Sequence, residues 1–388
     1  MSTMIRKTFK YRLYRCDKRD KHLHDKINIA GIVWNHCLAL QKRYYRLTGG
    51  YISKYRMQKH IGKLRSKSPR FAYWKKLGSQ TTQLVTHKLD DAYQRFFKKL
   101  AKRPPKFRKV KLYRSITFTQ AGWKLLGKNK LWIQGKVYKF VKHRELEGAI
   151  KSVTIKRDSC NRLWVCFSVE CEIEIPKRVM TGKTAGLDFG LKTFLTDDTG
   201  KVYKSPEFLR QELKTIKRLS RQFSLKQKGS KSRKRAKYAL SRAQIRVSDK
   251  RTDSHYKLAH QLCDEFDTIY LEDLNIAGMK RLWGRKVSDL AFGGFVTILK
   301  WIAKKCAVEI VFIDRYEPTS KMCSHCGNLQ DMPLSYRVYE CNCCGLVLDR
   351  DHNASINIKR IGASIQLPEA CQTGTCACIA VDGRSTRI

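Results

Sequence analysis

Acidic residues are scarce in this chain: 33 Asp and Glu stand against 81 Lys and Arg, a formal net charge of +48 over 388 residues. That excess is far beyond what solubility asks for and makes a polyanion the natural partner, bound with a steep dependence on salt as counterions are released. The sequence also lacks a signal peptide, a lipidation motif and any apolar run long enough to span a bilayer, which argues against a membrane partner and predicts a cytoplasmic protein. P-loop, G-x-G-x-x-G, Ser-His-Asp and Cys-His patterns are missing too, so nucleotide-driven, dinucleotide and covalent chemistry have no support and helicases are set apart.

Cysteine is plentiful, with 15 residues, but its placement argues against a secreted disulfide scaffold. Cys323-Ser-His-Cys326 and Cys341-Asn-Cys-Cys344 form two C-x-x-C knuckles separated by fourteen residues, a spacing suited to a closed tetrahedral Zn²⁺ site with a structural rather than catalytic role. Cys343 lies inside the second knuckle and stays outside the ligand set, since it could replace Cys341 or Cys344 only in a tighter geometry. Cys166, Cys263 and Cys306 fall in apolar segments, which fits a reducing compartment. Cys371, Cys376 and Cys378 lie in a polar tail, 366–388, expected to be disordered rather than a second metal or redox site.

The few acids that remain include three in element-forming contexts. Asp188 ends the apolar run Thr184-Ala-Gly-Leu-Asp, Glu272 ends Thr268-Ile-Tyr-Leu-Glu, and Asp351 opens a helical pattern with Ala354, Ile358 and Ile361 on its face. Strands this apolar sit inside a sheet covered on both faces, and an acid at such a strand's end can point into a site. A helix packed on that sheet would turn Asp351 toward the other two. Three converging carboxylates repel one another unless cations lie between them, and Mg²⁺ or Mn²⁺ prefers oxygen ligands of this kind. Two such ions could activate water and stabilise the leaving oxygen of a phosphodiester.

In order along the chain, Gly186-Leu-Asp-Phe-Gly, Leu271-Glu-Asp-Leu-Asn, Tyr316-Glu-Pro-Thr-Ser-Lys-Met-Cys-Ser-His-Cys-Gly and Cys344-Gly-Leu-Val-Leu-Asp-Arg-Asp-His-Asn-Ala-Ser resemble TnpB, the transposon-encoded relatives of type V CRISPR effectors. The resemblance covers roughly residues 1 to 365. It implies a RuvC nuclease of RNase H-like fold, guided by an RNA transcribed from the transposon end and cutting double-stranded DNA beside a short flanking motif. It also implies that Asp188, Glu272 and Asp351 are the catalytic acids and hold Mg²⁺ or Mn²⁺, while Asp273 and Asp349 do not bind metal. Two alternatives of other classes stand beside it: a nuclease-inactive RNA-guided repressor, and a guide-independent transposase or resolvase using the same carboxylates.

The rest of the chain reads as a composite. Ile5, Lys7, Phe9, Tyr11 and Leu13 alternate with a more polar set as in a strand; Leu23 to Tyr45 follow a helical period ended by Thr48-Gly-Gly, and Val85 to Leu100 predict a second helix stopped by Arg103-Pro-Pro. From about 106 the pattern is β-rich, with a hairpin joining 149–158 to 162–173. By resemblance, 1–15 and 106–180 form a β-barrel wedge domain, 16–105 an α-helical recognition lobe, 181–320 and 350–365 the α/β RuvC domain, and 321–349 an inserted zinc ribbon. The aromatics Tyr44, Tyr45, Phe71, Tyr73 and Trp74 suit core packing more than base stacking. Between Lys214 and Arg251 a helix-compatible stretch holds fifteen Lys or Arg and one acid, a candidate rail along an RNA–DNA duplex read through its backbone. A further helix is expected from about Val287 to Cys306, before the strand at Val308.

Overall fold

Alternation at the start of the chain produces a strand with one buried face: in β1 (Ser2–Arg12), Phe9 and Tyr11 are buried, and the strand pairs antiparallel along its length with a strand from much later in the chain. The computed structural model describes residues 2–174, 178–333 and 335–366. Two units emerge, Met1–Glu174 and Ile175–Ile388; the tail cysteines Cys371, Cys376 and Cys378 lie outside the described residues.

In the first unit, α1 (Asp17–Thr48) buries Leu23, Ile27, Ala30, Trp34 and Leu38 and ends at Gly49, whose φ of 65° is left-handed and whose N–H reaches the Tyr45 carbonyl. Next come α2 (Lys54–Lys67), capped by the Ser53 side chain, a 3-10 segment (Pro69–Leu77) and α3 (Ser79–Phe97). The expected helix through Leu100 stops at Phe97 instead. Its buried face runs out at Tyr93, Lys99 turns left-handed at φ 56°, and Leu100 is exposed, all before the prolines are reached. Trp74 is fully buried and Phe71 packs on the core, whereas Tyr73 and Tyr45 are exposed, so the aromatic cluster divides between core and surface.

The β-rich part holds β2 (Ser115–Phe118), β3 (Trp123–Leu125), β4 (Lys130–Ile133), β5 (Lys136–Lys139), β6 (Ala149–Arg157) and β7 (Leu163–Glu174). The order β1-β7-β6-β2 makes one sheet and β3-β4-β5 another, with a Leu13–Phe140 bridge between them. The predicted hairpin is β6–β7. Helices and sheets of this unit share one apolar core running from Tyr11 and Trp34 through Val85 to Phe167.

The second unit is built on a five-stranded sheet of β8 (Thr184–Asp188), β9 (Leu195–Asp197), β10 (Val202–Tyr203), β11 (Thr268–Glu272) and β12 (Glu309–Ile313), in the order β10-β9-β8-β11-β12. β8, β11 and β12 run parallel, while β9 and β10 extend antiparallel from β8. Helices α4 (Phe208–Leu225) and α5 (Lys231–Glu265) connect the two halves, so the basic stretch is a helical hairpin, broken where Gly229 takes φ 92°. The helix expected over 287–306 is two helices, α6 (Ile276–Leu290) and α7 (Phe292–Cys306). Ala291 divides them in a left-handed conformation at φ 52°, closing α6 with its N–H and opening α7 with its carbonyl.

Two short strands, β13 (Val338–Glu340) and β14 (Val347–Asp349), pair in the cysteine segment, and α8 (Arg350–Gln366) follows directly. The sheet is covered on both faces. Leu187, Ile269 and Leu271 pack with Leu262 of α5 and Phe295 and Leu299 of α7, whereas Tyr270 points the other way, to Ile358 of α8. Among the described residues, no helix is long and apolar enough to cross a membrane.

Candidate metal centres

Asp188 and Glu272 are the last residues of adjacent parallel strands, which pair Leu187 with Leu271 one step before them. From β8 the chain turns outward to β9 and β10, then returns on the other side to lay down β11 and β12. The carboxyl ends of β8 and β11 therefore flank the point where the strand order reverses, the place where open α/β sheets leave a crevice for ligands.

α8 brings the third acid. Its backbone lies on β8 at Gly186, where a Cβ would stand 2.2 Å from the Ser355 carbonyl oxygen and 2.6 Å from the Lys359 nitrogen. Asp198 fastens the same crossing, accepting the Gly186 N–H at 3.0 Å and the Lys359 ammonium at 2.6 Å. One helical turn earlier, Asp351 then overhangs the end of β8: a Cβ on Gly190 would meet its Oδ2 at 3.1 Å. Asp349 is spent on capping, accepting the N–H groups of Asp351 at 2.9 Å and His352 at 3.2 Å, and Asp273 pairs with Arg315.

Electrostatics tie the three acids together. Asp188 opens partly to solvent but is surrounded by protein; its carboxyl is pushed up to about 8, first by burial, then by the charges of Asp351 and Glu272. Glu272 is raised to about 7 by burial and by Asp273. Two guanidiniums oppose this negative field at Asp351: Arg350 lies 3.4 Å from Oδ1 and Arg337, from the cysteine segment, 3.8 Å.

Cys323, Cys326, Cys341 and Cys344 form the one group of metal-binding side chains, among the described residues, whose donor atoms all lie within 4.8 Å of one another. The two knuckles fold alike. Gly327 and Gly345 take φ of 75° and 70°, and each returns its N–H to the first cysteine of its knuckle at 3.0 Å. The Cys323–Cys344 and Cys326–Cys341 sulfurs are 3.6 and 3.5 Å apart, close to the roughly 3.8 Å edge of a tetrahedron with Zn–S bonds of about 2.3 Å. The backbone N–H groups of Cys344 and Cys343 draw the Cys341 thiol down to about 6, toward the thiolate a metal needs. Cys343 is exposed and outside the group. The four residues fit a structural zinc.

Sequence reasoning missed Arg337, Arg350, Asn353 and Asn357. The two asparagines had a signal: spaced i, i+4 beside Ala354 and Ile358, they lie on the buried stripe of α8 and are fully buried. Arg337 had none, because its proximity to Asp351 depends on how the β13–β14 hairpin folds back.

Comparison with known proteins falls on the same residues. A family profile described as "Probable transposase" (OrfB_IS605) matches residues 166–282, and one described as "Cas12f1-like, TNB domain" matches 292–358. The first spans Asp188 and Glu272, the second the four cysteines and Asp351. "Putative RNA-guided DNA endonuclease" of Streptomyces pristinaespiralis is 29% identical over 395 residues, covering 96% of this chain and 93% of that protein. "TnpB-like protein L79" of Acanthamoeba polyphaga mimivirus is 31% identical over 239 residues, 55% of this chain and 43% of its own length. The solved "Structure of the mini-RNA-guided endonuclease CRISPR-Cas_phi3" aligns with 92% of each chain at 9% identity and a TM-score of 0.40. With profiles on both halves of the acid site and a relative matched along nearly its whole length, the chain is similar to TnpB-like proteins and to proteins named RNA-guided DNA endonucleases.

Proposed function

We propose that this chain is an RNA-guided DNA endonuclease of a transposable element, cutting double-stranded DNA with Asp188, Glu272 and Asp351 as the ligands of Mg²⁺ or Mn²⁺. The observation that carries this reading is the placement of the three acids, on two strand ends at the reversal of strand order and on the helix packed across them. A bound pair of such ions would supply an activated water and stabilise the leaving oxygen of a phosphodiester. The protein's part is to hold the acids: β8 and β11 fix two of them, and the Gly186 crossing sets the third. Arg337 and Arg350 lend positive charge where a phosphate would lie.

The β8–β12 sheet with α8 corresponds, in this reading, to the RuvC domain of RNase H-like fold, and 321–349 to an inserted zinc ribbon. Pairing of β1 with β7 supports joining 1–15 to 106–180 as the wedge, with 16–105 as the recognition lobe. The hairpin α4–α5 is the rail for a guide–target duplex. Lys214, Lys217, Arg218 and Arg221 share one face of α4, and Asp289 anchors that helix by accepting the N–H groups of Leu209 and Arg210 at 3.1 and 3.2 Å.

The test is to express the chain with its native flanking DNA, purify it in moderate salt and sequence the RNA that comes with it. One dominant RNA whose end runs past the transposon boundary supports a guide. A heterogeneous mixture of cellular RNA would mean indiscriminate polyanion binding and would favour a transposase or resolvase that works without one.

A further inference from the structure

Asn353 and Asn357 sit one turn apart on α8 with no exposed surface, a placement that costs free energy unless their amides are bonded. Their bonds go to the chain around the first knuckle. Asn353 Nδ2 donates to the Met322 carbonyl at 2.8 Å, and its Oδ1 accepts the Ser324 N–H at 2.9 Å. Asn357 Nδ2 donates to the same Met322 carbonyl at 2.6 Å and to that of Thr319 at 2.9 Å, while its buried Oδ1 accepts no hydrogen bond among the described residues. The peptide groups on either side of Cys323, itself fully buried, are therefore gripped from α8. The second knuckle holds the same end of the helix through the chain: β14 leads straight into α8, and Asp349 caps the turn that carries Asp351.

We propose that Asn353 and Asn357 are positioning residues that couple the cysteine cluster to Asp351, so that loss of the ribbon's metal weakens divalent-cation binding at Asp188, Glu272 and Asp351. The inference rests on reading those three acids as cation ligands. With the cluster closed, Met322 and Ser324 are fixed and the first two turns of α8 have a rigid seat. With it open, the four cysteines repack, the seat moves, and Asp351, two residues before Asn353, moves with it. Hydrogen bonds that orient a metal's own ligands are worth about 10–100-fold in metal affinity, and the same scale is expected where such bonds orient Asp351 through its helix. The coupling must also run backward, so that a cation at the acids tightens retention of zinc by the same factor.

The experiment titrates Mn²⁺ into the full chain without nucleic acid, following free Mn²⁺ by electron paramagnetic resonance, first with zinc bound and then after zinc is chelated. The expected result is a fall of about tenfold or more in Mn²⁺ affinity on chelation. Asn353→Ala, with its zinc content measured and intact, should bind Mn²⁺ about as weakly as the stripped parent and respond little to chelation. Equal Mn²⁺ affinity in the zinc-loaded and stripped parent overturns the proposal, as does parental affinity in Asn353→Ala. If that variant does not fold, the chelation arm on the unmodified chain decides alone. Asp351→Ala separates the two claims: Mn²⁺ binding that ignores this substitution sinks the assignment of the acids, whereas binding that needs Asp351 but ignores zinc sinks only the coupling.

Discussion

Gly186 of β8 and Ser355 of α8 meet backbone to backbone, with room for no side chain: a Cβ on Gly186 would lie 2.2 Å from the Ser355 carbonyl oxygen. The acid site depends on this closeness, since it sets the height at which α8 carries Asp351 over the end of β8. Gly186→Ala should therefore lift the helix. A methyl group against rigid backbone costs about 1–3 kcal/mol, a melting temperature lower by several degrees. DNA cutting should fall further than that instability explains, and melting curves with cleavage rates at a temperature where the variant remains folded will separate the two.

The pH dependence of stability without divalent cations follows from Asp188. Its carboxyl is raised from the ordinary 3.8 to about 8 in the folded chain, so the native state holds a proton that the unfolded state has released. Stability from this group is complete below about pH 4 and declines as pH rises toward 8. Glu272, raised to about 7, adds to the decline in the same direction. Asp188→Asn should melt with the parent near pH 4 and several degrees above it at pH 8.5, while added Mg²⁺ should stabilise the parent at pH 8.5 and not the variant.

Sulfur placement separates Cys343 from its neighbours. Cys323→Ser should lose most of the zinc that one chain holds, whereas Cys343→Ser, exposed and outside the cluster, should keep about one ion per chain. Metal analysis of the purified variants checks this directly.

On α4, Lys214, Lys217, Arg218 and Arg221 present four positive charges on one face. Replacing all four with Gln should reduce the slope of log K against log salt for a guide–target duplex by about 3, at roughly 0.7–0.9 per phosphate contact. Fluorescence anisotropy across a salt series measures it, and an unchanged slope would remove this face from the duplex path.

Much of the site was legible because local pattern and tertiary placement agree there. Thr184–Asp188 and Thr268–Glu272 are short, apolar and β-branched or aromatic, so strand is their only economical state, and the acids fall at the ends by position alone. The knuckles were legible because only metal binding explains that cysteine spacing. What escaped were features that local preference opposes. Ala291 has no intrinsic reason to turn left-handed, yet the packing of Leu290 and Phe292 into one core requires the chain to bend between them. Phe97 ends α3 because its buried face ends at Tyr93, which a propensity argument built on Pro104 and Pro105 cannot see. Asn353 and Asn357 share the stripe of Ala354 and Ile358, but their polar side chains argue against burial until their partners at Thr319, Met322 and Ser324 are in place.

In the proposed function, Asp188, Glu272 and Asp351 act together in guided cutting of DNA. The deciding experiment is cleavage of a DNA duplex matched to the copurified RNA, by the parent and by Asp351→Ala at equal RNA occupancy. The parent should cut only with Mg²⁺ or Mn²⁺ and a matched sequence, and Asp351→Ala should lose a factor on the order of 10³ or more. Cutting by Asp351→Ala at the parental rate, or equal cutting of unmatched DNA without RNA, would contradict that function.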